Sequence, residues 1–385
     1  MSDIDWKSAA EKLAADVTHS GSRWRGPVAS TPRHLLVPRW WANESGGWRL
    51  TEGTADETAW MSAAYSDRTL VTRIGPLHAD HAEPGTHAAG SPTSSSTMPG
   101  LTVTMFRHAL IGDGQDVAEI GTGSGYGAAL LSRRLGERHV TSVDVDAYLT
   151  KAAQERLERM GLAPALLTLD ATEELPGAHD RIIATVSVRP VPPGWMTALR
   201  PGGRLVTTIA GTGLLVTADK ADDGCAYGRV ERDRAAFMAT RSGPDYPPAA
   251  WATTLLAHAR TAEGEEVSTG RYPVVQVQES WELWSTLSVL HPGIDHRYEQ
   301  DETDGDTIRT AYALHPDGSW ARARQHGDDP PEIHQSGPRR LWDLIDGIRE
   351  LWLREGQLPV YGAQVKILTD GTIRMRRGSW TTTIR

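Results

Sequence analysis

The feature that most constrains this chain is a glycine-rich turn between two segments of different periodicity. The motif Glu119-Ile-Gly-Thr-Gly-Ser-Gly-Tyr126 follows a strand-like run, residues 115–120, and opens a helix-like run, residues 126–134. Alternate glycines let the backbone turn sharply and approach a ligand, while the start of a helix offers unpaired N–H groups. A dinucleotide fingerprint needs a third glycine where Tyr126 stands, which disfavours nicotinamide or flavin. The turn therefore predicts a site for a different cofactor.

Two acids follow at the ends of further strand-like runs. Residues 140–144 end in Asp144, about 20 residues beyond the glycines, where a carboxylate can accept hydrogen bonds from both ribose hydroxyls. Residues 166–170 end in Asp170. A helix-capping role for Asp144 and a simple loop acid at Asp170 are the alternatives. The glycine turn, with Glu119 two residues before its first glycine, resembles motif I of S-adenosylmethionine-dependent methyltransferases. This resemblance implies that Asp170 lies beside the adenine amino group.

The order of segments predicts the fold class. Strand-like and helix-like runs alternate through residues 115–210, which indicates a doubly wound α/β sheet with helices on both faces. A hairpin around Asp222-Asp-Gly224 would finish this sheet. The long loop at residues 75–96, which contains His78, His81 and His87, is expected to be solvated and to close over the site.

Beyond residues 242–248 the composition shifts and the pattern becomes irregular. A helix at residues 341–354 carries Leu341, Ile345, Ile348 and Trp352 on one face, and a hairpin is expected at Thr369-Asp-Gly371. We therefore expect a Rossmann-like class I methyltransferase sheet with a separate C-terminal α+β domain. The predicted units are a covering region (1–100), a cofactor-binding core (101–241) and an accessory domain (249–385). The accessory domain is expected to recognise the substrate, with a stabilising extension or a dimerisation module as the alternative.

Composition and charge narrow the class of protein. With 385 residues, 39% of them hydrophobic, and a net charge of −9, the chain is expected to be a soluble globular protein without general affinity for nucleic acid or anionic membranes. Its acidic, amphipathic beginning is unlike a signal peptide, so a cytoplasmic location is expected. The single cysteine, Cys225, excludes a disulfide within the chain. No ligand-like histidine pair occurs, so no metal site is expected.

A longer ordered set of motifs makes the resemblance more specific. Thr31-Pro-Arg33-His34, Thr97-Met-Pro99, the glycine turn, residues 180–185 and Leu199-Arg-Pro-Gly-Gly-Arg204 follow the order seen in protein-L-isoaspartate O-methyltransferases. The similarity extends over residues 10–235. It implies transfer of a methyl group from S-adenosylmethionine to a carboxylate, with S-adenosylhomocysteine as the second product.

Two departures from the repair enzymes of this family bear on the substrate. Thr97 stands where those enzymes have a serine ahead of a proline, and the C-terminal extension is absent from most of them. Both features resemble the actinobacterial branch that modifies ribosomally made lanthipeptides, lasso peptides and graspetides. That resemblance implies methylation of L-aspartate in a macrocyclic precursor peptide, leading to aspartimide or isoaspartate. A repair methyltransferase, or a peptide-binding protein that retains the cofactor without turnover, is the alternative.

The candidate site residues fall into two groups. An ionised aspartate needs no general base, so the substrate residues are expected to position it rather than to move protons. Glu119 is expected to hold the turn or the methionine end of the cofactor, and Arg33 with His34 could equally form a packed turn. The cofactor residues are Glu119, Gly121, Thr122, Gly123, Ser124, Gly125, Tyr126, Asp144, Val145, Asp170 and Ala171. The substrate residues are Ser96 and Thr97 for positioning, with Arg33, His34, Ser94, Ser95, Val186 and Ser187.

Overall fold

The computed structural model describes residues 5–241, 250–303 and 305–385. The composition shift at residues 242–248, where the sequence places a domain boundary, lies outside the described residues.

The N-terminal region is a mixed layer that covers one end of the core. Its helices are α1 (Trp6–Val17), α2 (Arg25–Ser30), α3 (Arg33–Leu36) and α4 (Glu57–Ala64). Its strands are β1 (Arg39–Glu44), β2 (Gly47–Glu52), β3 (Leu70–Ile74), β4 (Leu77–His78), β5 (His87–Ala88) and β6 (Pro92–Ser96). They form one sheet in the order β4-β3-β1-β2-β5, with β6 paired to β3.

The long loop predicted at residues 75–96 is largely ordered, so that expectation was wrong. Strand β6 runs antiparallel to β3, with Leu70 opposite Ser96 and Val71 opposite Ser95. The backbone of β3 needs this partner, and the small polar residues of β6 give no hydrophobic alternation that would reveal a strand. Of the three histidines expected to be solvated, His78 is only 6% exposed, whereas His81 and His87 are exposed as predicted.

The core alternates strands and helices as predicted. Its helices are α5 (Pro99–His108), α6 (Tyr126–Leu135), α7 (Ala147–Glu158) and α8 (Pro193–Ala198). Its strands are β7 (Val117–Ile120), β8 (Val140–Asp144), β9 (Ala165–Thr168), β10 (His179–Val188), β11 (Leu199–Ile209), β12 (Leu214–Lys220) and β13 (Ala226–Arg234). Strands β9, β8, β7, β10 and β11 lie side by side and parallel, and β12 and β13 add the predicted antiparallel hairpin. The doubly wound sheet is therefore confirmed.

Successive residues of β12 show how the central sheet is buried on both faces. Leu215 belongs to one apolar cluster and Val216 to the other, because neighbouring side chains of a strand point to opposite faces. Loops after the parallel strands meet at one edge of the sheet, which is where open α/β sheets bind ligands.

The C-terminal region contributes to two sheets. Its helices are α9 (Ala250–Thr261), α10 (Trp281–Leu290) and α11 (Leu341–Glu355). Its strands are β14 (Glu266–Thr269), β15 (Asp295–Thr303), β16 (Asp306–Leu314), β17 (Trp320–His326), β18 (Glu332–Ser336), β19 (Gln364–Ile367), β20 (Ile373–Arg377) and β21 (Trp380–Ile384). Strands β14 to β18 form a separate antiparallel sheet, and this confirms the predicted α+β addition.

Strands β19 to β21 instead extend the central sheet from β13 to ten strands. Ala226 pairs with Ile367 across the new junction. Val365 and Met375 join the same apolar cluster as Val216, so burying one face of this hairpin accounts for its place in the core sheet. The predicted accessory unit 249–385 is thus continuous with the core through these strands.

Helix α11 is amphipathic, as its spacing predicts, over most of its length. Leu341, Ile345 and Ile348 are buried against the five-stranded sheet. Trp352, assigned to the same face, is 43% exposed, so its assignment to the docked face was wrong. Its neighbour Leu353 is also exposed, so the last turn of the helix lies outside the packed region.

Candidate active site

The glycine turn between β7 and α6 needs its glycines for conformation and for space. Gly121, Gly123 and Gly125 have φ angles of +101°, +51° and +84°, which side chains other than glycine rarely adopt. A Cβ at Gly123 would lie 2.9 Å from the carbonyl oxygen of Ser95. A Cβ at Gly121 would lie equally close to the Thr185 hydroxyl. The turn therefore packs tightly between β6 and the end of β10.

Glu119 lies beneath this turn and does not line the cavity in front of it. Its carboxylate accepts a hydrogen bond of 2.7 Å from the Ser142 hydroxyl, and a Cβ at Gly127 would collide with it. Burial raises the pKa of Glu119 to about 8. These contacts favour the turn-supporting role over a contact with the methionine end of a cofactor.

Two carboxylates face the cavity from neighbouring strand ends. The Asp144 carboxylate accepts hydrogen bonds from the backbone N–H groups of Gly123 at 3.0 Å and Asp146 at 3.1 Å. Burial raises the pKa of Asp144, although these two N–H donors oppose the shift. Asp170 accepts hydrogen bonds from the backbone N–H and hydroxyl of Thr172. Asp144 is therefore braced against the glycine turn itself.

The cavity encloses about 1030 Å³, including its open mouth. Predicted residues from five separate sequence segments meet in its wall. Those residues are Ser94, Ser95, Thr97, Gly121, Gly123, Asp144, Val145, Asp170, Ala171 and Val186. The remaining predicted residues lie behind the wall, and they are Arg33, His34, Ser96, Glu119, Thr122, Ser124, Gly125, Tyr126 and Ser187.

Arg33 is fully buried and braces the backbone that leads to Thr97 in the cavity wall. Its guanidinium donates hydrogen bonds of 3.2 Å to the carbonyl oxygens of Ser96 and Thr97. It also binds carbonyl oxygens of the turn after α4. Burial lowers its pKa to about 10, so the group stays charged at neutral pH. Arg33 therefore fixes the backbone that carries Thr97.

Ser96 and His34 are held inside the protein rather than at the cavity. The Ser96 hydroxyl accepts from Arg33, and His34 Nδ1 lies 2.7 Å from the Tyr65 hydroxyl. Burial lowers the pKa of His34 to about 4, so the ring is neutral at neutral pH. Thr97 is thus the residue of the predicted positioning pair that reaches the cavity.

A segment that the sequence analysis missed forms another wall. Residues 235–241, called the strap below, follow β13 and cross the end of β10. The Ser187 N–H donates to the Met238 carbonyl at 2.9 Å, and the Thr240 N–H donates to the Ser187 carbonyl at 2.8 Å. The apolar run Ala235-Ala-Phe-Met-Ala239 was the available signal. The strap residues lining the cavity are Ala236, Phe237, Met238, Ala239, Thr240 and Arg241.

Arg241 links the far end of the strap to the start of α7. Its guanidinium lies 3.8 Å from the carboxylate of Asp146, the residue that caps α7. His78 lies 3.0 Å from the same carboxylate oxygen. Although burial opposes the shift, the hydrogen bond from His78 and nearby positive charges lower the pKa of Asp146 to about 2. The strap therefore spans the cavity from β10 to α7.

The ionisable side chains that the described residues bring to the cavity wall are Asp144, Asp170 and Arg241. Serine and threonine hydroxyls and apolar groups complete it. Within the described ranges, no cluster of three histidine, cysteine or acidic residues could hold a metal ion. The described helices include none long and apolar enough to cross a membrane. Such a wall suits binding and orientation of a ligand more than proton transfer.

Comparison with known proteins gives one consistent family. The family model "Protein-L-isoaspartate(D-aspartate) O-methyltransferase (PCMT)" matches residues 79–239. A protein-L-isoaspartate O-methyltransferase of Thermotoga maritima is 34% identical over 124 residues, 31% of this chain and 39% of the relative. One from Rhodopseudomonas palustris is 31% identical over 169 residues, 42% of this chain and 75% of the relative.

The match to the relatives is uneven in extent. A further relative, from Brucella anthropi, is 34% identical over 116 residues, which cover 29% of this chain and 52% of the relative. The chain therefore spans less than two thirds of the Thermotoga and Brucella proteins. A solved protein-L-isoaspartate O-methyltransferase aligns over 98% of both chains with a TM-score of 0.47 and 17% identity. From the sequence relatives, the chain belongs to the protein-L-isoaspartate O-methyltransferase family.

Proposed function

We propose that this chain is an S-adenosylmethionine-dependent carboxyl O-methyltransferase that esterifies an L-aspartate side chain in a constrained, ribosomally made peptide. The observation that carries the proposal is that the glycine turn, two strand-end acids and Thr97 all line one cavity. A cofactor wall and a substrate wall then meet in one space.

The cofactor side fits an adenosine group. The Asp144 carboxylate is half-buried, and each of its oxygens accepts one backbone N–H. Ribose hydroxyls would be further donors to the same carboxylate. Asp170 would lie beside the adenine, and Gly121 and Gly123 bring backbone without side chains into the cavity wall. When bound, S-adenosylmethionine supplies an electrophilic methyl group.

The substrate side would orient an anion. An aspartate side chain, with a pKa of about 3.9, is ionised at neutral pH, so its oxygen can attack without losing a proton. A carboxylate O–C bond forms as the S–CH₃ bond breaks, and S-adenosylhomocysteine leaves. Thr97 would donate a hydrogen bond to the second carboxylate oxygen, while Arg33 fixes its backbone. Positioning of this kind can lower a barrier by about 7–11 kcal/mol in favourable cases.

The methyl ester sets up a second reaction that needs no residue of this protein. The next backbone nitrogen of the peptide attacks the ester carbonyl, methanol leaves with the nitrogen's proton, and a five-membered aspartimide forms. Water can then open the ring, chiefly to isoaspartate. The ring constraints of the peptide decide how far this goes.

Thr97 and the C-terminal addition favour peptide tailoring in the cytoplasm over repair. Repair of isoaspartyl residues is the second candidate, supported by the names of the relatives and by the shared core. The two functions differ in which carboxylate receives the methyl group.

Mass spectrometry separates the two functions. The purified protein with S-adenosylmethionine is offered a linear isoaspartyl peptide and macrocyclic peptides with ordinary aspartate. Tailoring predicts that only the cyclic aspartyl peptides gain one methyl group and then show a net loss of one water. Methylation of the linear isoaspartyl peptide alone would assign the protein to repair. Thr97→Val, which removes the hydroxyl but keeps the shape, should slow either reaction.

A further inference from the structure

The added strands of the central sheet carry an unusual concentration of positive charge. Residues 364–385 contain five cationic residues and one acid, in a chain whose net charge is −9. One face of these strands is buried in the core through Val365, Ile367 and Met375. Because strand side chains alternate, Lys366, Arg374 and Arg376 are directed to the opposite face.

Strand register places these cations next to one another. Lys366 of β19 lies directly opposite Arg374 of β20, and Arg376 follows two residues along the same strand. Tyr227 of β13 extends the row, with the Lys366 ammonium 4.8 Å from its ring centre. We call Tyr227, Lys366, Arg374 and Arg376 the basic face. Arg374 and Arg376 are exposed and Lys366 is half-buried.

Two acids offset part of this charge without an ion-pair contact. Asp223 accepts a hydrogen bond of 2.6 Å from the Tyr227 hydroxyl and attracts Lys366, and Asp370 attracts Arg374. Across the described chain, no carboxylate lies within 4.0 Å of the cationic groups of Lys366, Arg374 or Arg376. Like charges directly opposite in a sheet are destabilising. The nearby Arg229 differs, since Glu231 holds it in an ion pair at 3.0 Å. An external anion bound across the basic face would offset the repulsion between Lys366 and Arg374.

We propose that the basic face binds an acidic, extended segment of the peptide substrate. Same-side residues of an extended peptide recur about every 6.6–6.8 Å, which matches the spacing between Arg374 and Arg376 along β20. Acidic side chains at alternate positions of the peptide would therefore meet successive cations. The choice of a peptide as the partner rests on the proposed function.

Sheet geometry sets the length of peptide needed. From β7, beside the cavity, to β20 there are six strand-to-strand steps. At about 4.8 Å a step this is roughly 29 Å, or about nine residues of extended chain. The acidic segment would thus lie about nine residues or more from the methylated aspartate. An acidic chain with net charge −9 has little general attraction for long polyanions, which favours a peptide over nucleic acid.

Binding is tested on the full chain without cofactor, by fluorescence anisotropy. The probe is a labelled peptide of alternating glutamate and threonine, compared with its glutamine counterpart and with a single-stranded RNA of equal charge. The double variant Arg374→Glu with Arg376→Glu should bind the glutamate peptide about tenfold more weakly or worse at low salt. Lys7→Glu with Lys12→Glu, an equal charge change on the exposed side of α1, should leave binding unchanged.

Three outcomes would overturn the inference: equal binding by the two double variants, equal affinity for the glutamine peptide, or tighter binding of the RNA. A methylatable peptide adds a separate readout. With an acidic segment attached, the Arg374 and Arg376 reversals should raise KM and leave kcat unchanged. Because the anisotropy needs no turnover, absence of methylation would count against the proposed function alone.

Discussion

Glu119, buried under the glycine turn, makes the stability of the protein depend on pH. Its folded pKa of about 8 exceeds the value of about 4.3 expected in an unfolded chain. Between these values the folded state holds a proton that the unfolded state has released, so stability falls as pH rises through that window. The contribution is fully present below about pH 4 and is lost above about pH 8.

Glu119→Gln keeps the shape but cannot ionise, so it should weaken this pH dependence. Between about pH 5 and pH 8.5, the free energy of unfolding of the variant should rise by up to a few kcal/mol relative to that of the parent. Urea unfolding at the two pH values measures it. Glu11→Gln, at an exposed position of α1, is the matched control. Parallel stability curves for parent and Glu119→Gln would contradict the buried-acid account.

A single substitution of Asp144 tests the proposed cofactor-binding side of the cavity. Asp144→Ala removes the acceptor proposed for ribose, and losing a hydrogen bond to a charged group typically costs about 1.5–3 kcal/mol. The dissociation constant of S-adenosylhomocysteine should therefore rise about tenfold or more, as measured by calorimetry. Asp370→Ala, in the turn between β19 and β20, should leave it unchanged. An unaltered affinity for Asp144→Ala would remove its ribose role.

At the level of structural elements, two glycine substitutions test how closely the glycine turn packs against β6. Gly123 and Gly114 both have positive φ angles, but only a Cβ at Gly123 meets another atom within 4 Å, the Ser95 carbonyl oxygen. Alanine at either position should cost about 1–2 kcal/mol in backbone strain. Gly123→Ala should also separate the turn from β6 and weaken cofactor binding. Equal effects of the two variants on S-adenosylhomocysteine affinity would show that the contact with β6 is unimportant.

The strap should control how fast the cofactor leaves. Arg241→Ala removes the link between the strap and Asp146, so S-adenosylhomocysteine should dissociate several-fold faster in stopped-flow displacement. In Arg241→Lys, S-adenosylhomocysteine should dissociate more slowly than in Arg241→Ala, because lysine keeps a cation at the same place. Arg232→Ala, on the exposed part of β13, is the control. An unchanged dissociation rate in Arg241→Ala would mean that the strap does not restrain the cofactor.

Helices and strands with a clear sequence pattern were predictable. Segments whose structure depends on hydrogen bonding to a distant strand were not. Strands β7, β8 and β10 are short runs rich in β-branched residues and separated by helix-like segments, so their order and the edge that carries the site could be deduced. Strand β6 and the strap are recognised as elements through their pairing with β3 and Ser187. The pairing of β6 leaves no local pattern in the sequence, and the apolar run at residues 235–239 marks the strap without indicating that it pairs with Ser187.

The site shows the same division. Asp144 and Asp170 follow strands at predictable positions, and both reach the cavity. Arg33 and Ser96 belong to motifs that resemble the family, yet their side chains point into the protein interior. A sequence motif indicates which segments of the chain lie near the cavity. Which of its side chains faces the cavity depends on strand pleat and on buried partners, which sequence spacing alone does not determine.

At the scale of the whole molecule, the ten-stranded sheet changes how the C-terminal region can be tested. Removing residues 250–385 would leave the edge of β13 unpaired and would strip Val365 and Met375 from the core. We expect a large fall in melting temperature by circular dichroism, together with aggregation through the open edge. A truncated chain that melts like the parent would show that this region contributes little to core stability. Point variants of the basic face avoid this difficulty.

The junction between β13 and β19 also has a consequence for the order of events during synthesis. Ala226 must wait for Ile367 before its strand has a neighbour on that side. The five-stranded sheet lies between them in the sequence and consists largely of neighbouring antiparallel pairs, so it can assemble first. During synthesis the core would therefore keep the edge of β13 open until the ribosome has made the intervening sheet and β19. Chaperones could bind the nascent chain in that period.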